Sequence, residues 1–200
     1  MPNTIYLTRH GQSEYNLYNK IGGDSNITTA GKKYAIELFE YIRANEDIEQ
    51  IKIFTSELKR TQQTAKHFPN TNKSIYGFLN EIDAGDFDNL TYDEIKIKHS
   101  EEYKKRKNDK FNYQYPSGES YFDLKNRVKE IMDIINKEDE NNVLIVCHNA
   151  VLRVIYSLFF NIDDNEVPHL DIPLHTLFKL TKVNNKYELE KLNLSKIQAC

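Results

Sequence analysis

The sequence predicts an α/β fold, a three-layer α/β/α sandwich around a mostly parallel central sheet. Three observations point there. Short apolar runs at Thr4–Thr8, Ile51–Thr55 and Val143–Cys147 are bounded by polar or glycine-containing turns, as buried strands are. Longer segments between them carry apolar residues at helical spacing. Strands that alternate with helices favour parallel pairing, because each crossover helix packs back onto the sheet.

The first strand, Thr4–Thr8, ends abruptly at Arg9-His10-Gly11, and the loop after it turns at Gly22-Gly23-Asp24. Thr28 or Thr29 caps a helix to about Asn45, whose stripe Ala35, Leu38, Phe39 and Ile42 follows i, i+3, i+4, i+7. Ile51–Thr55 is the second strand, and a helix over Lys59–Phe68 opens beside Lys59-Arg60-Thr61. Ser74–Tyr76 reads as a short strand and Asn80–Asn89 as an acidic loop around Gly85. A polar helical insertion runs from Thr91 to about Lys107, followed by the tyrosine-rich loop Phe111–Tyr115 and the Pro116-Ser117-Gly118 turn. Ser120, with Asp123 three residues on, caps a helix that lines up Leu124, Val128, Ile131, Met132 and Ile135. Val143–Cys147 ends at His148-Asn149, residues 150–160 form an apolar helix, and Leu177–Val183 and Tyr187–Leu194 are the final strands. No repeat, linker or composition break divides the chain, which predicts a single domain over residues 1–200.

Composition excludes several classes. With 39% hydrophobic and 12% aromatic residues the chain can build a core, so disorder is ruled out as its main state. A net charge of −3 makes any affinity for phosphate a local property. Cys147 and Cys200 offer neither a metal-ligand spacing nor a disulfide framework, and they suit a reducing compartment. No apolar run approaches the ~20 residues that cross a bilayer, and none near the N-terminus resembles a secretory signal. A cytoplasmic protein with no membrane association is the expectation.

Of the 27 basic residues only six are arginine: Arg9, Arg43, Arg60, Arg106, Arg127 and Arg153. Lysine serves wherever charge alone suffices, so each arginine is a candidate for bidentate recognition. Arg43 and Arg127 lie on amphipathic helix patterns and read as solvated surface. Arg9, Arg60 and Arg153 each follow a buried strand or open a helix, two of them beside His10 and His148. Ligands of open α/β sheets bind at the carboxyl ends of strands. Converged there, two histidines flanked by three guanidiniums would make a phosphoryl pocket, with helix N-termini adding backbone donors. His67, His99, His169 and His175 lack that context and read as structural or surface residues.

Leu7-Thr8-Arg9-His10-Gly11-Gln12-Ser13-Glu14-Tyr15-Asn16 resembles the signature of the histidine phosphatase superfamily, with its phosphoglycerate-mutase-like fold. Ile21-Gly22-Gly23-Asp24, Asn80-Glu81-Ile82-Asp83-Ala84-Gly85, Tyr115-Pro116-Ser117-Gly118-Glu119-Ser120-Tyr121 and Pro173-Leu174-His175-Thr176 resemble more narrowly the bisphosphatase domain of 6-phosphofructo-2-kinase/fructose-2,6-bisphosphatase. The matches run in order from residue 4 to about residue 183. The resemblance implies a phosphatase that removes the 2-phosphate of fructose 2,6-bisphosphate through a phosphohistidine on His10. A neutral imidazole is required for that attack, and neighbouring guanidiniums favour it. By the same resemblance Arg9, Arg60 and His148 bind the equatorial oxygens, and Asn16 with Gly22 or Gly23 completes the phosphate site. Glu81 protonates the leaving oxygen and then activates water, with Asp83 as the competitor for that role. No metal and no cofactor are expected, since cationic side chains supply the charge.

The insertion, about residues 86–120, is expected to form a substrate lid over the site. Lys104-Lys105-Arg106-Lys107, Lys110, Phe111, Tyr113 and Tyr115 interleave basic and aromatic residues, which taken alone fits a solvated helix face or a single-stranded nucleic-acid surface. The resemblance offers a third reading, in which Tyr92, Arg106, Lys110, Tyr121, Asn149 and Arg153 hold a sugar phosphate. Arg106, one of only six arginines, ranks that reading first and nucleic acid last. Two departures stand out: Asn149 where the family usually has the longer Gln, and Lys20 where Arg is usual. The rivals are a broad phosphatase of sugar phosphates or other phosphomonoesters, sharing the core but not Arg106, Lys110 and Tyr121, and a non-catalytic sugar-phosphate-binding module. The sequence sets no oligomeric state.

Overall fold

A computed structural model describes residues 1–138 and 142–194. Six strands make one sheet, β1 (Thr4–Arg9), β2 (Ile51–Thr55), β3 (Lys73–Ile75), β4 (Asn142–Cys147), β5 (Thr176–Val183) and β6 (Lys186–Asn193), in the order β3-β2-β4-β1-β5-β6. The first four in that order are parallel, and β5 and β6 add an antiparallel hairpin. Asn184 and Asn185 turn that hairpin with φ of 50° and 64°, the left-handed pair that a tight two-residue turn demands. The predicted three-layer, mostly parallel architecture is the observed one.

The two-residue period of the strands divides the core between the two faces of the sheet. Ile5, Leu7, Val143, Ile145 and Cys147 face one side. That side is covered by α6 (Tyr121–Val128), α7 (Glu130–Lys137) and α8 (Asn149–Phe160) through Leu124, Val128, Ile131, Ile135, Val151 and Ile155. Tyr6, Leu144 and Val146 face the other side, against Tyr34, Leu38 and Ile42 of α2 (Thr29–Asn45) and Ala65 just beyond α3 (Lys59–Thr64). Thr28 caps α2 and Ser120 caps α6 in a capping box with Asp123, as the sequence predicts.

Four local differences are informative. A short α1 (Glu14–Leu17), capped by Ser13, occupies what the sequence suggests is loop. The predicted helix to Phe68 stops at Thr64, whose hydroxyl bonds back to the Arg60 carbonyl and also accepts the Gly11 amide. The insertion breaks at His99 into α4 (Tyr92–Lys98) and α5 (Ser100–Asn108), and the helix after Ser120 breaks at Lys129. Around α4 a third, small core gathers Phe87, Ile95 and Tyr115 with Ile21, Ile82, Leu90, Tyr103 and Tyr113. The α5 helix has no fully buried residue of its own and packs on that cluster through Tyr103. No helix among the described residues is long and apolar enough to cross a membrane. Cys200 lies outside the described residues, and Cys147 is a buried free thiol at the end of β4.

Candidate active site

The carboxyl ends of β1 and β4 and the turn after β2 open into a cavity of about 350 Å³. Arg9 is the last residue of β1 and His10 the first beyond it; Arg60 lies in the first turn of α3; Glu81 comes from the loop after β3. Tyr92, Arg106 and Lys110 reach the same cavity from the insertion, and Tyr121, Asn149 and Arg153 from α6 and α8. Asn16 and Gly22 line it as well. The insertion and the sheet thus share one pocket.

His10 is only 4% exposed. Its Nδ1 lies 2.8 Å from the Gly11 carbonyl, which can only accept, so Nδ1 carries the proton and Nε2 keeps its lone pair. Burial, reinforced by Arg60 and Arg9, holds the imidazole well below the usual histidine range and therefore neutral. Arg60 donates from Nε to His148 Nδ1 at 3.2 Å and from NH1 to the Gly23 carbonyl at 2.6 Å. His148 Nε2 in turn donates to Ser56 Oγ at 2.8 Å, and its ring sits 5.2 Å from that of His10. Burial and the same arginines keep His148 neutral too.

His148, expected as a phosphate ligand, does not itself line the cavity. Both ring nitrogens already have protein partners, and the ring is fully buried behind His10 and Arg60. Gly23 differs as well: its amide donates to Asp88 Oδ1 at 2.7 Å, which leaves the cavity edge to Gly22. Both glycines have positive φ, and a Cβ on Gly22 would stand 1.4 Å from Asp88 Oδ1. Asn16 uses Oδ1 to close the Ser13 cap and also lines the cavity. Arg9 donates from NH1 to the Ile172 carbonyl at 2.9 Å, while its Nε is buried with no hydrogen-bond partner among the described residues.

Glu81 is oriented by backbone donors. Its Oε1 accepts from the amides of Ile82 at 3.0 Å and Ala150 at 3.1 Å, and its Oε2 from that of Asn149 at 3.1 Å. The carboxyl group thus sits at the N-terminus of α8, held by amides that the helix leaves free there. Asp83, its competitor, is exposed and accepts from the Gly85 amide at 2.8 Å instead.

A second group of polar residues comes from the insertion. Arg106 donates from Nε to Tyr115 Oη and from NH2 to Tyr92 Oη, both at 2.8 Å, with its guanidinium 4.5 Å from the Tyr92 ring centroid. Arg153 donates to Tyr121 Oη at 3.1 Å. Lys110 donates to the Pro168 carbonyl at 2.6 Å, and burial together with Arg106 and Arg153 pulls its amine down to about 8. Tyr115 bonds Arg106 and lines the cavity, a placement that its motif alone does not reveal.

Arg127 overturns the solvated-surface reading. It forms a two-pronged pair with Glu119 at 2.6 and 2.7 Å and donates to the carbonyls of Phe78 at 2.6 Å and Glu81 at 3.2 Å. A helix pattern shows which face is apolar but not what meets the opposite face, and here that face clamps the Glu81 loop. Arg43 is exposed and paired with Glu40, as expected of a surface residue.

A family model described as the histidine phosphatase superfamily (branch 1) matches residues 5–195. The chain belongs to the histidine phosphatase superfamily. Among its relatives in this superfamily, 6-phosphofructo-2-kinase/fructose-2,6-bisphosphatase of Gallus gallus is 42% identical over 194 residues, 97% of this chain and 40% of that protein. The Mus musculus protein 6-phosphofructo-2-kinase/fructose-2,6-bisphosphatase 1 is 43% identical with the same coverage. The chain spans about two fifths of the length of these curated relatives. The histidine phosphatase fold is also that of a solved structure described as a putative alpha-ribazole-5'-P phosphatase from Escherichia coli. The two align with a TM-score of 0.84 at 21% identity, covering 96% of this chain and 97% of that one.

Proposed function

We propose that this histidine phosphatase hydrolyses the 2-phosphate of fructose 2,6-bisphosphate, yielding fructose 6-phosphate and inorganic phosphate. One observation carries the substrate: the cavity that holds His10 also holds Arg106, Lys110 and Arg153, a second set of cations away from the nucleophile. A substrate with one phosphoryl group leaves that set without a partner. The 42% identity to a relative named for fructose-2,6-bisphosphatase supports the same reading.

In the first step His10 Nε2 attacks phosphorus, the bond to the sugar oxygen breaks, and Glu81 in its acid form gives that oxygen a proton. In the second, the Glu81 carboxylate takes a proton from water, whose oxygen attacks phosphorus as the N–P bond breaks. Glu81 ends protonated, ready for the next turnover. Arg9 and Arg60 face the charge on the transferring phosphoryl group, Asn16 and Gly22 add donors, and His148 holds Arg60 and His10 in place. Tyr92, Arg106, Lys110, Tyr121, Asn149 and Arg153 hold the sugar 6-phosphate moiety, with residues 86–120 acting as a lid. The protein's partner is thus a small sugar phosphate, and the scheme needs neither metal nor cofactor.

A phosphate-release panel tests this reading with fructose 2,6-bisphosphate, fructose 1,6-bisphosphate, phosphoglycerates and 4-nitrophenyl phosphate. Preference for the first supports it; comparable turnover of all four refutes it. The second reading, a broader phosphomonoesterase, draws on Asn149, whose Oδ1 is buried without a hydrogen-bond partner among the described residues.

A further inference from the structure

We infer that the stretch Pro168–His175 is a positioning rack: it registers the cations of the cavity against one another and so sets selectivity for substrates with two phosphoryl groups. Three alternate carbonyls of this stretch each accept from a different cation. Lys110 Nζ reaches the Pro168 carbonyl at 2.6 Å, Arg153 Nε the Leu170 carbonyl at 2.7 Å, and Arg9 NH1 the Ile172 carbonyl at 2.9 Å. Three residues on, His175 Nε2 accepts from the Gln12 amide at 3.1 Å, two residues beyond His10. Lys110 follows α5, Arg153 belongs to α8 and Arg9 ends β1. A single short segment therefore ties together elements far apart in sequence, including both ends of the proposed bisphosphate site.

Each contact occupies only part of its cation. Arg9 keeps a buried Nε without a partner among the described residues, and a lysine ammonium has two donors left after one bond. The carbonyls therefore orient the cations without neutralising them. The segment is itself rigidly held. Val167, Pro168 and Ile172 are buried, and Val167 and Ile172 belong to the main core on the α8 side. Pro168 and Pro173 fix their own φ. His175 sits at φ +59°, a conformation an L side chain rarely adopts, with its ring stacked 4.6 Å from Tyr34. Such backbone persists where the surroundings over-determine it.

The inference rests on the bisphosphatase reading, and the test separates the two. One glycine inserted after the exposed Asp171 displaces the Pro168 and Leu170 carbonyls relative to that of Ile172, leaving the Arg9 and His10 end in place. The same insertion in the Asn184–Asn185 turn, at the opposite end of the sheet, is the comparison. kcat/KM is measured for fructose 2,6-bisphosphate and 4-nitrophenyl phosphate, with melting followed by circular dichroism. The Asp171 insertion is expected to lower the first value by about ten-fold or more, the scale of one lost charge-assisted contact, and to change the second by no more than about two-fold. The hairpin insertion leaves the ratio of the two unchanged. If the Asp171 insertion does not fold, Pro168→Ala, which loosens only the Lys110 end, is expected to shift the same ratio by about three-fold. Equal losses on both substrates, or no change in the ratio, overturn the rack. Absence of any preference for the bisphosphate in the unaltered protein refutes the bisphosphatase reading and the rack with it; a preference that survives the insertion refutes the rack alone.

Discussion

Arg106→Lys separates a bisphosphatase from a general phosphatase, because it keeps the charge and removes only the planar fork. In the structure that fork satisfies two tyrosine hydroxyls at once, Tyr115 and Tyr92 at 2.8 Å each, and lies 4.5 Å from the Tyr92 ring centroid. A lysine ammonium has enough donors, but its single nitrogen lacks the span and the planar fork to meet both hydroxyls and a phosphate as the guanidinium does. Losing one charge-assisted contact costs about 1.5–3 kcal/mol, and the stacked guanidinium adds about 0.5–1 kcal/mol. Together these predict a fall of roughly 30- to 900-fold in kcat/KM for fructose 2,6-bisphosphate. All of these contacts lie away from the bond being broken, so 4-nitrophenyl phosphate, with no second phosphate, should react as before. Arg106→Ala should deepen the first effect and still spare the second. Initial rates of phosphate release on both substrates, with a thermal melt to exclude collapse of the small insertion core, make the measurement. If neither substrate responds, or both decline alike, Arg106 does not hold a distal phosphate and the insertion is a solvated face.

Brief incubation with labelled substrate should trap an acid-labile, base-stable phosphoenzyme that His10→Ala abolishes; label persisting in that variant excludes the proposed nucleophile. Glu81→Gln should lower kcat/KM, which reports the transfer to His10, by roughly 10²–10⁴-fold for the sugar phosphate but far less for an aryl phosphate, since a phenolate leaves without a proton. Its kcat should fall for both, because water attack also uses Glu81. Equal losses in kcat/KM would move the acid elsewhere. Lys110 is charged below its depressed value of about 8 and neutral above it, so kcat/KM for the bisphosphate should decline from pH 7 to 9 relative to that for the aryl phosphate. Lys110→Arg should flatten that difference, and a ratio independent of pH would count against Lys110 as a phosphate ligand. Asn149→Gln should raise kcat/KM for the bisphosphate if the shorter side chain has loosened the pocket; no change assigns Asn149 no part in binding.

Much of this protein is legible in one dimension because its signals are local. Apolar runs such as Val143–Cys147, bounded by turn residues, mark strands buried on both faces. Ser120 with Asp123 and Thr28 before Gly31 mark helix starts, since a cap acts on amides only two or three residues away. His10, Arg60 and Arg153 are likewise marked by their places after strands and Glu81 by its motif alone, and all four line one cavity. Tertiary structure alone decided what each of these groups touches. Asp83 and Glu81 stand two residues apart with the same chemistry, yet only Glu81 meets the N-terminus of α8, some seventy residues later in the chain. Arg127 reads as surface because helical periodicity reports one face and is silent about the loop packed on the other. His148 reads as a ligand from its place after a strand, but only the fold sets Ser56 and Arg60 against its two nitrogens. The carbonyls of Pro168, Leu170 and Ile172 leave no trace in sequence, since a backbone oxygen belongs to every residue and its direction is set only when the chain packs.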